Sequence, residues 1–99
     1  MRTMLKVTME VVAGNKAIKS GSLPRIMQGV MADLKPEAAY FTSHGGKRTA
    51  FIFFDLKDTS QIPVIAEPFF MELNAEVQFT PVMNGEDLKK GLELASKKF

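Results

Sequence analysis

Residues 38–55, Ala-Ala-Tyr-Phe-Thr-Ser-His-Gly-Gly-Lys-Arg-Thr-Ala-Phe-Ile-Phe-Phe-Asp, decide the fold of this chain. Gly45 and Gly46 in the middle accept positive φ at no steric cost, as a two-residue hairpin turn requires. The flanking residues are rich in aromatic and β-branched side chains, which favour strands. The stretch therefore predicts a β-hairpin whose register pairs Tyr40 with Phe51.

Hydrophobic periodicity on both sides of the hairpin predicts seven elements in the order β-α-β-β-α-β-α. Gly21 and Pro24 predict a kink in the first helix, or a restart capped by Ser22. Pro68 is expected to end the second helix. The predicted strands cover 3–12, 38–44, 47–56 and 75–82, and the predicted helices cover 15–34, 60–67 and a last segment that begins after the N-cap Asn84.

This order of elements is typical of an α+β, ferredoxin-like fold. A split βαββαβ arrangement places four antiparallel strands in one sheet with both main helices on the same side, and a C-terminal helix follows. A chain of 99 residues can bury one hydrophobic core without disulfides. We therefore expect a single domain, 1–99.

The hairpin register also assigns side chains to the two faces of the sheet. One face is apolar, includes Leu5, Phe41 and Ile52, and is expected to pack under the helices. The opposite face mixes polar, charged and aromatic side chains, and a second copy is its simplest cover, because two facing sheets enclose a cavity. The candidate ligand-binding residues on it are Lys6, Thr8, Glu10, Tyr40, Thr42, Phe51, Phe53, Glu76 and Gln78.

Three segments, with the order of elements, resemble the dimeric α/β-barrel superfamily: Ala-Phe-Ile-Phe-Phe-Asp (50–55), Ala-Glu-Pro-Phe-Phe (66–70) and Glu-Val-Gln-Phe-Thr-Pro-Val-Met (76–83). Four further segments resemble an uncharacterised bacterial family within it: Gly14-Asn15 with Ala17-Ile18, residues 35–41, Ile62-Pro63 with residues 65–70, and Pro81-Val82-Met83. The resemblance covers nearly the whole chain and implies a ferredoxin-like fold and a homodimer. It implies little about chemistry, since the superfamily includes haem-degrading and quinol-forming monooxygenases, isomerases and members with no known activity.

Composition excludes several classes of protein. The absence of Cys excludes disulfide frameworks and thiolate zinc sites. The net charge of +2 comes from scattered basic residues, which favours solvated faces over a phosphate-binding stripe. No apolar run approaches the roughly 20 residues of a membrane span, and Lys6 and Glu10 interrupt the N-terminal stretch where a secretory signal would be apolar. We expect a cytoplasmic protein of bacterial type with no membrane partner.

Nucleic-acid binding is the closest of the rejected functions. Residues 47–54, Lys-Arg-Thr-Ala-Phe-Ile-Phe-Phe, resemble the strand signature of the RNA-recognition motif. However, Arg48 stands where that signature has Gly, and Thr49 stands where it has a base-stacking ring. Phe51 is the one stacking group left, because Lys6 occupies the matching position on the first strand. We therefore expect no nucleic-acid partner.

His44 is the single imidazole, so any His-based chemistry would depend on it. Its place beside the glycine turn favours a solvated loop histidine. A metal site would need Glu10, Asp55 or Glu76 to converge on it, and the spacing gives no such evidence. Haem is disfavoured because the chain lacks the Trp of the haem-degrading members. We expect neither a metal nor another cofactor.

The leading interpretation is a small homodimeric barrel of unassigned activity that binds a small organic molecule between the facing sheets. The alternative is a non-catalytic module for dimerisation or protein interaction. A cofactor-independent monooxygenase or isomerase is a lesser alternative, in which Lys6, Glu10, Tyr40 and Glu76 would supply the polar groups. The same charges could instead form an ion pair at the dimer seam.

Overall fold

The computed structural model describes residues Met1–Phe99 as four strands and four helices. The strands are β1 (Arg2–Thr8), β2 (Ala38–His44), β3 (Lys47–Asp55) and β4 (Glu76–Pro81). The helices are α1 (Val11–Ser20), α2 (Ser22–Leu34), α3 (Gln61–Leu73) and α4 (Gly85–Ser96). The predicted α+β, ferredoxin-like fold is confirmed.

The four strands form one antiparallel sheet in the order β2-β3-β1-β4. Tyr40 is opposite Phe51, as the hairpin predicted. Gly45 and Gly46 have φ values of 62° and 77°, the left-handed region that a two-residue hairpin turn of this kind needs. The turn therefore fixes the register of the whole β2–β3 pair.

The core lies between one face of this sheet and the helices. Leu5 of β1, Ile52 of β3 and Phe69 of α3 are fully buried in one apolar cluster. Side chains of α2 such as Val30 pack against the same cluster. Burial of this surface at ~25 cal/mol per Å² is the main drive for folding. Because α1, α2 and α3 share this side, the other face of the sheet has no cover within the chain.

The predicted first strand, 3–12, is too long at its C-terminal end. β1 ends at Thr8, and α1 begins at Val11. The Glu10 carboxylate accepts hydrogen bonds from the backbone N–H groups of Val12 (3.1 Å) and Ala13 (2.8 Å). It satisfies donors that the first turn leaves without intrahelical partners, so the chain turns into a helix where the alternation suggested a strand.

The predicted break in the first helix is confirmed. Gly21, with φ at 82°, separates α1 from α2. The cap predicted at Ser22 is wrong, because Ser22 is the first residue of α2 and Gly21 occupies the boundary position. A residue with positive φ ends α1 in the usual way, and α2 restarts directly after it.

The predicted end of the second main helix before Pro68 is also wrong. α3 continues through Pro68 to Leu73, and both Phe69 and Leu73 are fully buried. An interior proline costs about 3 kcal/mol, whereas each large apolar side chain gains about 1.5–3 kcal/mol on burial. Burial of the two side chains that follow the proline outweighs the lost backbone hydrogen bond.

Phe41 was expected under the helices but is 59% exposed. It lies on β2, which is an edge strand. The main contacts of the helices with the sheet are those of α1 with β3 and of α3 with β4. Ala39 at the start of β2 still packs against the core, but the helical layer does not cover Phe41. The side of the sheet was assigned correctly, and the extent of its cover was not.

α4 begins with the predicted N-cap. The Asn84 side chain accepts from the Asp87 N–H (2.8 Å), and the Asp87 carboxylate accepts from the Asn84 N–H (3.1 Å), which completes a capping box. No residue of α4 is buried. The chain measures 55 × 27 × 19 Å, with a radius of gyration of 15.9 Å, against about 13 Å for a compact domain of this length. α4 therefore extends away from the sheet.

None of the four helices has the length and apolar content needed to cross a membrane.

Candidate functional site

The sheet surface that faces away from α1, α2 and α3 is the candidate site, and we call it the open face. Its central row crosses all four strands, and its members are register partners of one another. The next row is formed in the same way. The central row is Tyr40, Phe51, Lys6 and Gln78, and the next row is Thr42, Thr49, Thr8 and Glu76.

Eight of the nine predicted site residues lie on the open face. Seven of them belong to the two rows just described. The eighth, Phe53, lies opposite Met4 of β1 and Ala38 of β2. Phe51 and Phe53 are half-buried by their neighbours, whereas Tyr40 is 64% exposed. The face therefore presents aromatic rings among polar groups, as the alternation predicted.

Glu10 is the exception, and its prediction as a member of this face is wrong. Its carboxylate caps α1 through Val12 and Ala13. A carboxylate at this position also interacts favourably with the positive end of the helix dipole. The role of Glu10 is structural, so the acid–base hypothesis loses one of its four polar groups.

Phe51 is the centre of the open face. The Nζ of Lys6 lies 5.8 Å from the centroid of its ring, within the range of a cation–π interaction. The imidazole of His44 meets the same ring edge-on, with centroids 6.0 Å apart and planes at 86°. The open face thus brings a cation and an imidazole together around one aromatic ring.

His44 is not among the nine candidate ligand-binding residues. The hairpin register places it on the same side of the sheet as Thr42, but its position beside the glycine turn favours a solvated histidine. In the structure it is the exposed last residue of β2, opposite Lys47, and its ring packs on Phe51. The contact with Phe51 is what the sequence did not predict.

The charged side chains of the two rows have no ionic partners within the chain. Lys6 and Glu76 take part in none of its ion pairs. Lys6 lies between Phe51 and Gln78, and Glu76 lies opposite Thr8. Lys6 and Glu76 therefore form no ion pair within one chain, and both charges are free to contact another molecule.

One end of the open face forms a concavity that we call the notch. It has a volume of about 500 Å³. Tyr40 and Phe53 lie on one side of it, and Val82 and Met83, which lead from β4 to α4, lie on the other. The full lining is Arg2, Glu37, Ala38, Tyr40, Phe53, Val82, Met83 and Asn84.

Arg2 ties the polar border of the notch together. Its Nε donates to Oε1 of Glu37 at 2.6 Å, and its Nη1 lies 3.5 Å from the Asp87 carboxylate. The hydrogen bond to Glu37, and then the negative charges of Glu37 and Asp87, raise the pKa of Arg2 further above its ordinary value. Arg2 therefore holds the start of β2 and the start of α4 beside β1.

A second concavity, the α2–α3 groove, lies on the opposite side of the molecule. It has a volume of about 480 Å³ and lies between the two helices. Its apolar lining residues are Ile26, Val30, Leu34, Val64 and Ile65. The sequence did not predict it, because it depends on how two separate helices pack.

No three His, Asp or Glu side chains come together in a way that could hold a metal ion. Comparison with models of known protein families and with curated proteins gives no match. The residues of the open face are therefore the basis for the function proposed below.

Proposed function

We propose that the protein is a homodimer of two facing open faces, and that a small organic molecule binds in the space between them. The observation that carries the proposal is the central row, in which the exposed Tyr40 and the half-buried Phe51 and Lys6 are neighbours across three strands.

The aromatic content of the open face supports the pairing of two copies. Tyr40 is 64% exposed, and Phe51 and Phe53 are open enough to contact another molecule. α1, α2 and α3 all pack on the other side of the sheet, so none of these helices covers the rings. An apolar patch bordered by polar residues is typical of an interaction surface, and a two-fold pair covers both copies at once.

The polar content of the same face supports a cavity in place of a dry interface. Burying a charge without a partner is costly, and neither Lys6 nor Glu76 has one. A ligand or water between the sheets would solvate these groups. Phe51 offers a stacking surface, while Lys6 and the Tyr40 hydroxyl offer hydrogen bonds to an oxygen. The ligand is therefore expected to have an apolar body and a carbonyl or anionic group.

The test combines sedimentation with binding of an aromatic anion, 1-anilinonaphthalene-8-sulfonate. The wild-type protein should sediment as a dimer at 100 µM, and Phe51→Ala should weaken binding of the probe while leaving a dimer. Val64→Ala is the matched control, because Val64 lines the α2–α3 groove and is 74% exposed. A wild-type monomer would refute the proposal, and so would a probe that responds to Val64→Ala and ignores Phe51→Ala.

A non-catalytic interaction module is the second candidate, and the free edge of β2 favours it. This strand has seven residues, Ala-Ala-Tyr-Phe-Thr-Ser-His, with no Pro or Lys. Proteins usually protect an edge strand with such residues or with a bulge, since its unpaired backbone can accept another strand. Amide hydrogen exchange tests this candidate. Protection of β2 that increases between 5 and 500 µM protein would support strand pairing, and unchanged exchange would argue against it.

A further inference from the structure

α4 has no packing partner in its own chain. Its 12 residues are all outside the core, and no other element packs along it. Its one side-chain link to the body is the contact of Asp87 with Arg2, in the first turn. An isolated helix of this length is marginal in water, and helices in proteins depend on packing of an apolar face.

α4 nevertheless carries such a face. Leu88, Gly91, Leu92 and Ala95 are spaced i, i+3, i+4, i+7 and form one stripe. Leu88 is 47% exposed and Leu92 is 59% exposed. Gly91 has open space around it, so it would permit close approach of another surface. The stripe therefore has the composition of a packing surface, but no other element of the same chain packs on it.

The start of α4 is held so that the helix points away from its own body. The Val82 N–H donates to the Arg2 carbonyl at 3.1 Å, the Asn84–Asp87 capping box fixes the first turn, and Arg2 contacts Asp87. The resulting length of 55 Å is about twice the second dimension of the molecule. A fold-back of α4 would have to break the contact between Arg2 and Asp87, whereas a contact with another molecule would keep it.

We propose that α4 is an arm exchanged between two copies, in which the Leu88–Leu92–Ala95 stripe of each copy packs against the notch of the other and closes the ligand cavity. The inference rests on the homodimer proposed above. α4 begins beside its own notch, next to Val82 and Met83. In a two-fold pair the two notches are equivalent, so each copy's α4 would occupy the notch of the other copy, and the dimer would contain this contact twice.

The area that a stable dimer needs supports this occupant. Four strands and the seven residues of β1 give the open face a projected area on the order of 440 Å². A stable interface buries about 800 Å² on each partner, so facing sheets alone fall short. The 12 residues of α4 form a cylinder about 18 Å long and about 10 Å wide. Each copy gives one arm and receives one, and the exchange brings the buried area close to the required value.

Two leucines on opposite sides of α4 provide a matched pair of variants. Leu92 belongs to the stripe, and Leu94 lies about 200° further around the helix with a similar exposure of 54%. We expect Leu92→Glu to raise the dimer dissociation constant at least about 100-fold, because the symmetric dimer loses two buried leucines. Leu94→Glu should leave that constant unchanged. Sedimentation equilibrium measures both.

Cross-linking tests the exchange directly, because the chain has no cysteine of its own. Leu92→Cys and Ala38→Cys are prepared as separate proteins with different tags, mixed and oxidised. Since Ala38 lines the notch, a disulfide between the two tagged chains is expected, and Leu94→Cys mixed with Ala38→Cys should give none. If the first pair fails to cross-link, or if both pairs cross-link equally, the exchanged arm is overturned.

The outcomes separate the two proposals. A wild-type monomer at 100 µM refutes the homodimer and the arm together. A wild-type dimer whose dissociation constant does not respond to Leu92→Glu refutes the arm alone and leaves the facing-sheet dimer in place.

Discussion

Lys6 and Phe51 are direct register partners on β1 and β3, and the Lys6 ammonium lies 5.8 Å from the centre of the Phe51 ring. The interaction occupies the most central position of the open face, between the Tyr40 and Gln78 positions of the same row. It keeps a cation beside an apolar ring without a carboxylate to neutralise it. An aromatic anion would match both features at once.

Lys6→Met should separate the charge from the apolar stem of the lysine. Binding of 1-anilinonaphthalene-8-sulfonate should weaken about 5- to 10-fold, since a single charge-assisted contact is worth about 1–1.4 kcal/mol. The free energy of unfolding should change by less than about 1 kcal/mol. Fluorescence titration measures the first quantity and urea unfolding the second. Lys16→Met on α1 is the control, and an equal loss of affinity in both variants would contradict a specific role for Lys6.

Glu10→Ala should reduce stability without affecting the open face. Loss of the two hydrogen bonds to Val12 and Ala13 removes the N-cap of α1, and the free energy of unfolding should fall by about 0.5–2 kcal/mol. Urea unfolding measures the loss, and the same titration should show unchanged affinity for the aromatic anion. If Glu10→Ala keeps the stability of the wild type but no longer binds the probe, Glu10 takes part in ligand binding and not in capping α1.

The open face was predictable because each fact behind it is local. The two glycines of the hairpin set a register, and period-two alternation then decides which side chains share a side. Tyr40, Phe51 and Phe53 were placed by that reasoning alone. The capping box of α4 is equally local, since Asn84 and Asp87 are three residues apart.

The remaining features depend on tertiary packing, which cannot be inferred from the spacing of residues along the sequence. Phe41 is exposed because it lies on an edge strand and the helices do not cover it, and Pro68 is tolerated because Phe69 behind it is fully buried. Glu10 continued the alternation of a strand, yet its carboxylate captures the N–H groups of a helix. In each case a local preference competed with a contact that exists only in the folded chain.

Pro68→Ala should stabilise the protein. Pro68 lies in the interior of α3 and cannot donate the hydrogen bond that this position of a helix offers to the carbonyl four residues earlier. Alanine restores that donor and has the highest helix propensity, so the free energy of unfolding should rise by about 1–3 kcal/mol. Pro63→Ala is the control, because Pro63 is in the first turn, where an N–H has no intrahelical partner. Thermal unfolding of the two variants compares them, and equal shifts would contradict the explanation.

Asp55 gives the stability of the protein a defined acid dependence. Its Oδ1 accepts a hydrogen bond of 2.5 Å from the Met1 ammonium, and this bond, followed by the charge of the ammonium, lowers the pKa of Asp55 below its ordinary value of 3.8. The folded chain therefore holds the ionised carboxylate more favourably than the unfolded chain does. The contribution is present above about pH 4 and is lost as the pH falls through the lowered pKa.

Asp55→Asn should remove this contribution. The difference in urea midpoint between the wild type and Asp55→Asn should be largest at pH 7 and should decrease progressively as the pH falls below 4. It should be small throughout, because the pair is exposed to solvent. Asp33→Asn is the control, since Asp33 is exposed on α2 and takes part in no ion pair. A difference for Asp55→Asn that persists unchanged at pH 2 would show that the carboxylate acts through packing and not through its charge.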